Sequence, residues 1–180
     1  VFDPAILDAL PRADRRVEFL QRTGVELDAA LRETGQRAGG PGGGLWVRHA
    51  VPEEAIPALA RQLGAQAVFA NHDDDPYARA RDAQVRGRLA DLGVSLQQSK
   101  DHVVLERDEV LTGNGTPYTV FTPYRNAWLK RLDDFQLRSY PIARHAAALM
   151  SKPDGESLPS LADLGFEPSG TGEHLMLWVE

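Results

Sequence analysis

The feature that most constrains the fold is an alternation of short apolar, strand-like segments with longer helical segments. The strand-like segments are Val1-Phe2, Leu45-Trp46-Val47, Ala67-Val68-Phe69-Ala70 and Val94-Ser95-Leu96. Short connections join them to the helical segments between them. Because parallel strands require a crossover connection, usually a helix, this order predicts an open, mostly parallel α/β sheet.

Three predicted helices alternate with these strands. The first has apolar residues at helical spacing, namely Val17, Leu20, Leu27 and Leu31. Asp14 is its predicted N-cap and Gly35 its predicted end. Two more helices are predicted over residues 52–63 and from about residue 77 to 92. The pattern is typical of a Rossmann-like sheet with helices on both faces.

The alternation of strands and helices ends after the last of these strands. A short helical turn is predicted over 108–111, and a helix with Thr122 as its N-cap over 122–132. Its aromatic residues are most simply interpreted as packing residues: Phe121, Tyr124 and Trp128. We therefore expect an α/β domain over residues 1–134 and the start of a linker over 135–180. The apolar run 175–179 is expected to pair with an exposed strand.

Composition excludes several classes of function. The net charge of −6 is unlike the basic surface with which proteins grip a phosphate backbone. Without cysteine, the chain has no disulfide, thiolate nucleophile or cysteine metal site. It has no apolar run of membrane-spanning length, and its N-terminus does not resemble a signal peptide. These features favour a cytoplasmic protein with no membrane partner.

Polar side chains follow three of the strand-like segments: Asp3, the pair Arg48-His49, and the run Asn71 to Asp75. The carboxyl ends of parallel strands share one edge of a sheet, where ligands bind. Convergence there predicts a small-molecule pocket. The alternatives are His49 and His72 bonding to backbone, and the Asp73-Asp74-Asp75 triplet acting as solvated charge or helix cap, with Asp74 facing solvent, rather than as a metal site.

Two common kinds of site do not fit the sequence. The glycines of 39–44 precede a strand rather than follow one, so they are not a dinucleotide-binding loop. The serines lie in no nucleophile-elbow pattern. The residues alone therefore indicate an α/β domain that binds a nucleotide-like molecule or another cofactor.

Two longer stretches resemble the DNA photolyase and cryptochrome family. Residues 71–82, Asn-His-Asp-Asp-Asp-Pro-Tyr-Ala-Arg-Ala-Arg-Asp, are similar to a segment in which a strand ends at Asn and a helix opens with acidic-Pro-Tyr and Arg-x-Arg-Asp. Residues 116–128, Thr-Pro-Tyr-Thr-Val-Phe-Thr-Pro-Tyr-Arg-Asn-Ala-Trp, resemble the block that precedes the family's interdomain linker. Residues 3–7 and 158–166 also match, so the resemblance covers nearly the whole chain to about Phe166.

The resemblance implies the N-terminal α/β domain of a class I photolyase, which carries an antenna pigment. Folate-type members have Asn-Glu where this chain has Tyr77-Ala78, so a deazaflavin or flavin pigment is favoured over folate. Carried over by motif, the pigment contacts are Asp3, Arg16, Asp73, Asp75 and Ala78. No catalytic residue and no metal ligand is expected in this domain.

The resemblance also implies what lies outside this chain. FAD and the contacts to damaged DNA belong to the family's helical domain, so the chain alone is expected to be inactive in splitting pyrimidine dimers. The family's opening strand, with Trp-x-Arg-x-Asp-Leu-Arg, lies mid-sheet and has no match here. The alternatives are a cryptochrome-type blue-light photoreceptor domain and a non-catalytic nucleotide-binding α/β domain.

Overall fold

The structure is a computed structural model that describes residues 1–100, 102–153 and 155–170. Its helices are α1 (Pro4–Leu7), α2 (Arg15–Arg37), α3 (Pro52–Gln62), α4 (Pro76–Asp91), α5 (Phe121–Arg131) and α6 (Asp134–Leu137). Its strands are β1 (Ala67–Asn71) and β2 (Ser95–Ser99). Two 3-10 segments cover Arg107–Glu109 and Ile142–Ala148.

Strands β1 and β2 form a parallel pair in which Ala67 aligns with Ser95 and Asn71 with Ser99. Helix α4 provides the crossover between them, as a parallel pair requires. The predicted open α/β fold is confirmed by this strand–helix–strand unit and by the helices around it.

The described residues divide into two compact units, one formed by Ile56–Tyr140 and the other by Val1–Ala55 with the described residues after Tyr140. The core of the first unit lies between the sheet and its helices. Its buried members are Ala60, Val85, Leu89, Val94 and Leu96. Leu89 is fully buried, so α4 is held on the sheet by its apolar side. The predicted division at residue 134 stays a prediction.

The second unit is built around α2, which begins at the predicted N-cap Asp14. Its core consists of Leu7, Val17, Leu164 and Phe166. The predicted apolar face of α2 is wrong in part, because Leu20 is 56% exposed and Leu27 47% exposed. The helix also continues past Gly35 to Arg37, since Gly35 is buried against residue 42 rather than ending the helix.

The predicted strand at 45–47 does not form. Phe2 instead makes one isolated parallel bridge with His49. Its N–H donates to the Arg48 carbonyl at 2.7 Å, and the Ala50 N–H donates to the Phe2 carbonyl at 3.1 Å. The pairing stops there because Asp3 already turns the chain into α1 as its N-cap.

Three smaller expectations also changed. Helix α5 starts at Phe121 with Val120 as N-cap, so Thr122 lies within the helix. Phe121 is 72% exposed and does not pack as predicted, whereas the Tyr124 ring meets Tyr118 edge-to-face at 6.2 Å. The predicted linker includes α6 and a 3-10 segment. The run 175–179 lies outside the described residues.

Candidate functional site

The carboxyl edge of the β1–β2 pair carries the acidic run predicted from the sequence. The His72 N–H donates to the Ser99 carbonyl at 2.8 Å, which ties the two strand ends together. Asp75 follows as the N-cap of α4, with Pro76 in the first turn. Its Oδ1 accepts from the backbone N–H of Tyr77 at 2.9 Å and of Ala78 at 3.4 Å. An aspartate followed by proline favours a helix start, because it supplies an acceptor where amides are unpaired.

The structure brings Asp73, Asp75 and Ala78 together at this helix start. Asp73 Oδ1 accepts from the Asp75 N–H at 3.0 Å, so the first carboxylate orders the loop that carries the second. Ala78 is 3% exposed, so its methyl group has little surface left for any ligand. The two carboxylates can act as acceptors for N–H or O–H donors of a small molecule.

The other members of the run have separate partners. Asp74 is exposed, as predicted, and accepts from Arg107 Nη2 at 3.2 Å. The His72 ring places Nδ1 at 3.0 Å from both carboxylate oxygens of Glu106. His72 therefore bonds to backbone through its own N–H and to a carboxylate through its ring. Sequence reasoning gave a ligand role and bonding to backbone as the alternatives for His72, and it did not predict the Glu106 partner.

Asp3 and Arg16 lie in the unit built around α2. Asp3 is 6% exposed and caps α1 by accepting from the Ala5 N–H at 3.0 Å. Arg16 forms a bidentate ion pair with Asp14. Its Nε donates to Oδ1 at 3.0 Å and its Nη2 to Oδ2 at 2.6 Å. The hydrogen bond from the Arg16 side chain lowers the pKa of Asp14 to about 2. Their pigment contacts stay predictions.

A polar cavity of about 260 Å³ lies beside the acidic run. It is lined by His72, Asp73, Arg79, Asp82, Ala83, Arg86, Gln98 and Arg107. Sequence reasoning assigned no ligand role to its arginines, although Arg79 belongs to the Arg-x-Arg-Asp segment. The spacing of Arg79, Asp82 and Arg86 on α4, three and four residues apart, was the available signal, because such residues share one helix face.

Between residues 1 and 170, leaving out 101 and 154, no three histidine or acidic side chains converge as metal ligands would. Over the same residues, no helix is both long and apolar enough to cross a bilayer.

Comparison with known proteins gives the family. The sequence model of the DNA photolyase family matches residues 1–145. A deoxyribodipyrimidine photo-lyase from a Synechococcus species is 33% identical over 177 residues, which cover 93% of this chain and 34% of that protein. A deoxyribodipyrimidine photo-lyase from Halobacterium salinarum is 38% identical, over 86% of this chain and 30% of the relative.

A cryptochrome DASH from Natronomonas pharaonis is also similar, with 29% identity over 92% of this chain and 33% of its own length. The chain thus spans about a third of each of these three relatives. The family match covers well over half of the chain and includes both motif segments, residues 71–82 and 116–128. This chain therefore belongs to the DNA photolyase family.

Proposed function

We propose that this chain is the antenna-chromophore-binding domain of a light-driven photolyase that splits cyclobutane pyrimidine dimers. The observation that carries the proposal is the family match over residues 1–145, within which the acidic run lies at the carboxyl edge of a parallel sheet. This edge is where open α/β sheets place their ligands.

The residues at the start of α4 fit a planar pigment that donates hydrogen bonds. Flavin and deazaflavin rings carry a ring N–H, and Asp73 and Asp75 supply acceptors held in place by backbone contacts. When bound, such a pigment absorbs light and passes its excitation to a second cofactor. The chain's residues would bind and orient it, with Asp3 and Arg16 as the further contacts that the motif assigns. Tyr77-Ala78 in place of Asn-Glu favours this pigment class over folate.

The chemistry of repair belongs, in this proposal, to the whole protein. FAD would donate an electron to the dimer from polypeptide beyond the third of the relatives that this chain matches. Damaged DNA would bind there as well, which agrees with the net charge of −6 on this chain. A cytoplasmic location is part of the same proposal.

Titration of the purified chain with a deazaflavin, a flavin and a folate tests the antenna role through absorption and fluorescence changes. Asp73→Asn and Asp75→Asn keep an acceptor for the backbone N–H groups but remove the charge, so the loop and helix start should survive. We expect each to weaken deazaflavin or flavin binding about tenfold, the loss of one charge-assisted hydrogen bond. Asp74→Asn is the matched control, because Asp74 is exposed and its ion pair with Arg107 lies at the protein surface.

The contacts predicted in the other unit are tested separately. Asp3→Asn keeps the cap of α1, and Arg16→Gln removes the ion pair with Asp14. A pigment role predicts weaker binding with both variants at unchanged thermal stability of the Ile56–Tyr140 unit. Binding of a folate alone, or binding untouched by all four substitutions, would contradict the proposed site.

A cryptochrome-type photoreceptor is the second candidate, because a cryptochrome DASH is 29% identical over 92% of this chain. The two candidates differ in whether the full-length protein repairs DNA. Light-dependent splitting of a thymine dimer by that protein distinguishes them, and its absence in the presence of reduced FAD would favour the photoreceptor.

A further inference from the structure

The cavity beside the acidic run shares Asp73 with the proposed antenna site, but its arginines have no part in the antenna role. Three arginines line it, at positions 79, 86 and 107, against two aspartates at 73 and 82. All belong to the Ile56–Tyr140 unit, whose sheet, helix α4 and 3-10 segment build the walls.

The two acidic residues of the cavity already have hydrogen-bond partners within the protein. Asp82 Oδ1 accepts from Arg81 Nε at 2.9 Å and Nη2 at 2.8 Å, and its Oδ2 accepts from Gln98 Nε2 at 2.9 Å. Asp73 Oδ1 accepts from the Asp75 N–H. The negative charge at Asp82 is therefore balanced before any ligand arrives.

Two of the arginines have N–H donors that remain available to a ligand. Arg86 donates through Nη1 to the Leu96 carbonyl at 3.2 Å and through Nη2 to Gln98 Oε1. A guanidinium has five N–H donors, so three remain. Among the described residues, Arg79 forms no ion pair or side-chain hydrogen bond, and it lies about two helical turns before Arg86 on α4.

Arg107 adds an independent observation. Its φ of 48° makes it the one non-glycine residue with positive φ among those the structure describes. A non-glycine residue is strained in this conformation, which persists where the surroundings enforce it, often at ligand sites. Here Lys100 Nζ contacts both Glu109 oxygens at 2.7 Å, and Glu106 with Glu109 forms a capping box around the turn.

We propose that this cavity binds a phosphate or diphosphate group, either free or as part of a small nucleotide. The phosphate oxygens would accept hydrogen bonds from Arg79, Arg86 and Arg107. A guanidinium group is planar, and its N–H donors can bind two phosphate oxygens at once. A volume of about 260 Å³ suits a phosphoryl group better than a drug-sized ligand, which usually occupies ~300–1,000 Å³. The proposal does not rest on the antenna role, although Asp73 is assigned to both sites.

Calorimetric titration of the purified chain with inorganic diphosphate, in phosphate-free buffer of low salt, tests it. Arg79→Gln and Arg107→Gln should each weaken binding by about tenfold or more, the loss of a charge-assisted hydrogen bond. Arg125→Gln is the matched control, an exposed arginine of the same unit outside the cavity, and should bind like the unaltered chain. Circular dichroism checks that each variant is folded.

Parallel titrations identify the source of the phosphate. Tighter binding of ADP than of diphosphate would assign the cavity to a nucleotide, and equal binding to a free phosphate compound; both support the site. The proposal fails if diphosphate does not bind, if Arg125→Gln weakens binding as much as the cavity variants, or if only a single-stranded oligonucleotide binds.

Discussion

Asp28 and Lys152 form an ion pair of 2.7 Å in which the two side chains are only 10% and 5% exposed. Asp28 also accepts from the Leu45 N–H at 2.6 Å and from Arg32 Nη2 at 2.8 Å. One carboxylate of α2 thus holds two segments that are distant in sequence. Replacing Lys152 would leave the Asp28 carboxylate with little access to water and without its main counter-ion, which destabilises the folded state.

We expect Lys152→Met to lower the free energy of unfolding by about 2–3 kcal/mol, somewhat below the ~3–5 kcal/mol of a fully orphaned buried charge, because Arg32 and Leu45 remain. Urea denaturation measures the change. The control is Arg37→Met, whose ion pair with Glu33 is exposed on both sides, and which should change stability by less than about 0.5 kcal/mol. Equal effects of the two substitutions would show that the Asp28 pair contributes no more than a surface pair.

Acid should destabilise the unit built around α2 through carboxylates with lowered pKa values. The hydrogen bond from Arg16 lowers the pKa of Asp14 from 3.8 to about 2. Burial alone would raise the pKa of Asp28, but hydrogen bonds from Lys152 and Leu45 outweigh it and hold that pKa below its usual value. A lowered folded pKa means that the stabilisation is complete above about pH 4 and declines as pH falls toward about 2.

The measurement is the urea midpoint at about pH 5.5 and about pH 3. Asp14→Asn keeps an N-cap acceptor for α2 but does not titrate, so its midpoint should fall less between the two pH values than that of the unaltered chain. A fall of the same size in both proteins would contradict the contribution of Asp14.

The local signals of the sequence predicted elements better than they predicted contacts. Asp14 and the acidic run at Asp75 were predicted as helix caps or starts, because capping depends on residues within one turn. Burial of Leu20 and Leu27 was wrong, because helical spacing does not say which side another segment will cover. The surroundings of Gly24 could not be predicted either. A Cβ added there would lie 2.9 Å from Leu158 Cδ2, and no local sequence pattern indicates that contact.

In the candidate site, too, the local segment could be predicted, whereas the contacts between distant segments could not. The Asp73–Asp75 segment could be predicted because a motif and a strand end coincide there. The cavity could not, because its walls combine one face of α4, the end of β2 at Gln98 and the turn at Arg107. Those pieces meet only once the crossover has placed α4 over β2. The side-chain bond between Gln98 and Asp82 is a product of that packing.

Replacement of Asp75 separates its capping role from any ligand role. Asp75→Ala removes the acceptor for the Tyr77 and Ala78 N–H groups and should cost about 1 kcal/mol of unfolding free energy, whereas Asp75→Asn should cost only a few tenths. Thermal or urea unfolding of the unliganded chain measures both. If Asn and Ala destabilise equally, the carboxylate's charge rather than its acceptor geometry stabilises the start of α4.

Arg107 should be the position where glycine is better tolerated than alanine. At φ 48° a side chain is strained, whereas glycine adopts this conformation freely. Both substitutions remove the exposed ion pair with Asp74, so its small contribution cancels in the comparison. After glycine's greater entropy in the unfolded chain is subtracted, Arg107→Gly should be more stable than Arg107→Ala by up to about 1 kcal/mol. Urea unfolding of the two variants gives the difference directly, and an alanine variant as stable as the glycine variant would mean that the turn relaxes to negative φ once the guanidinium is gone.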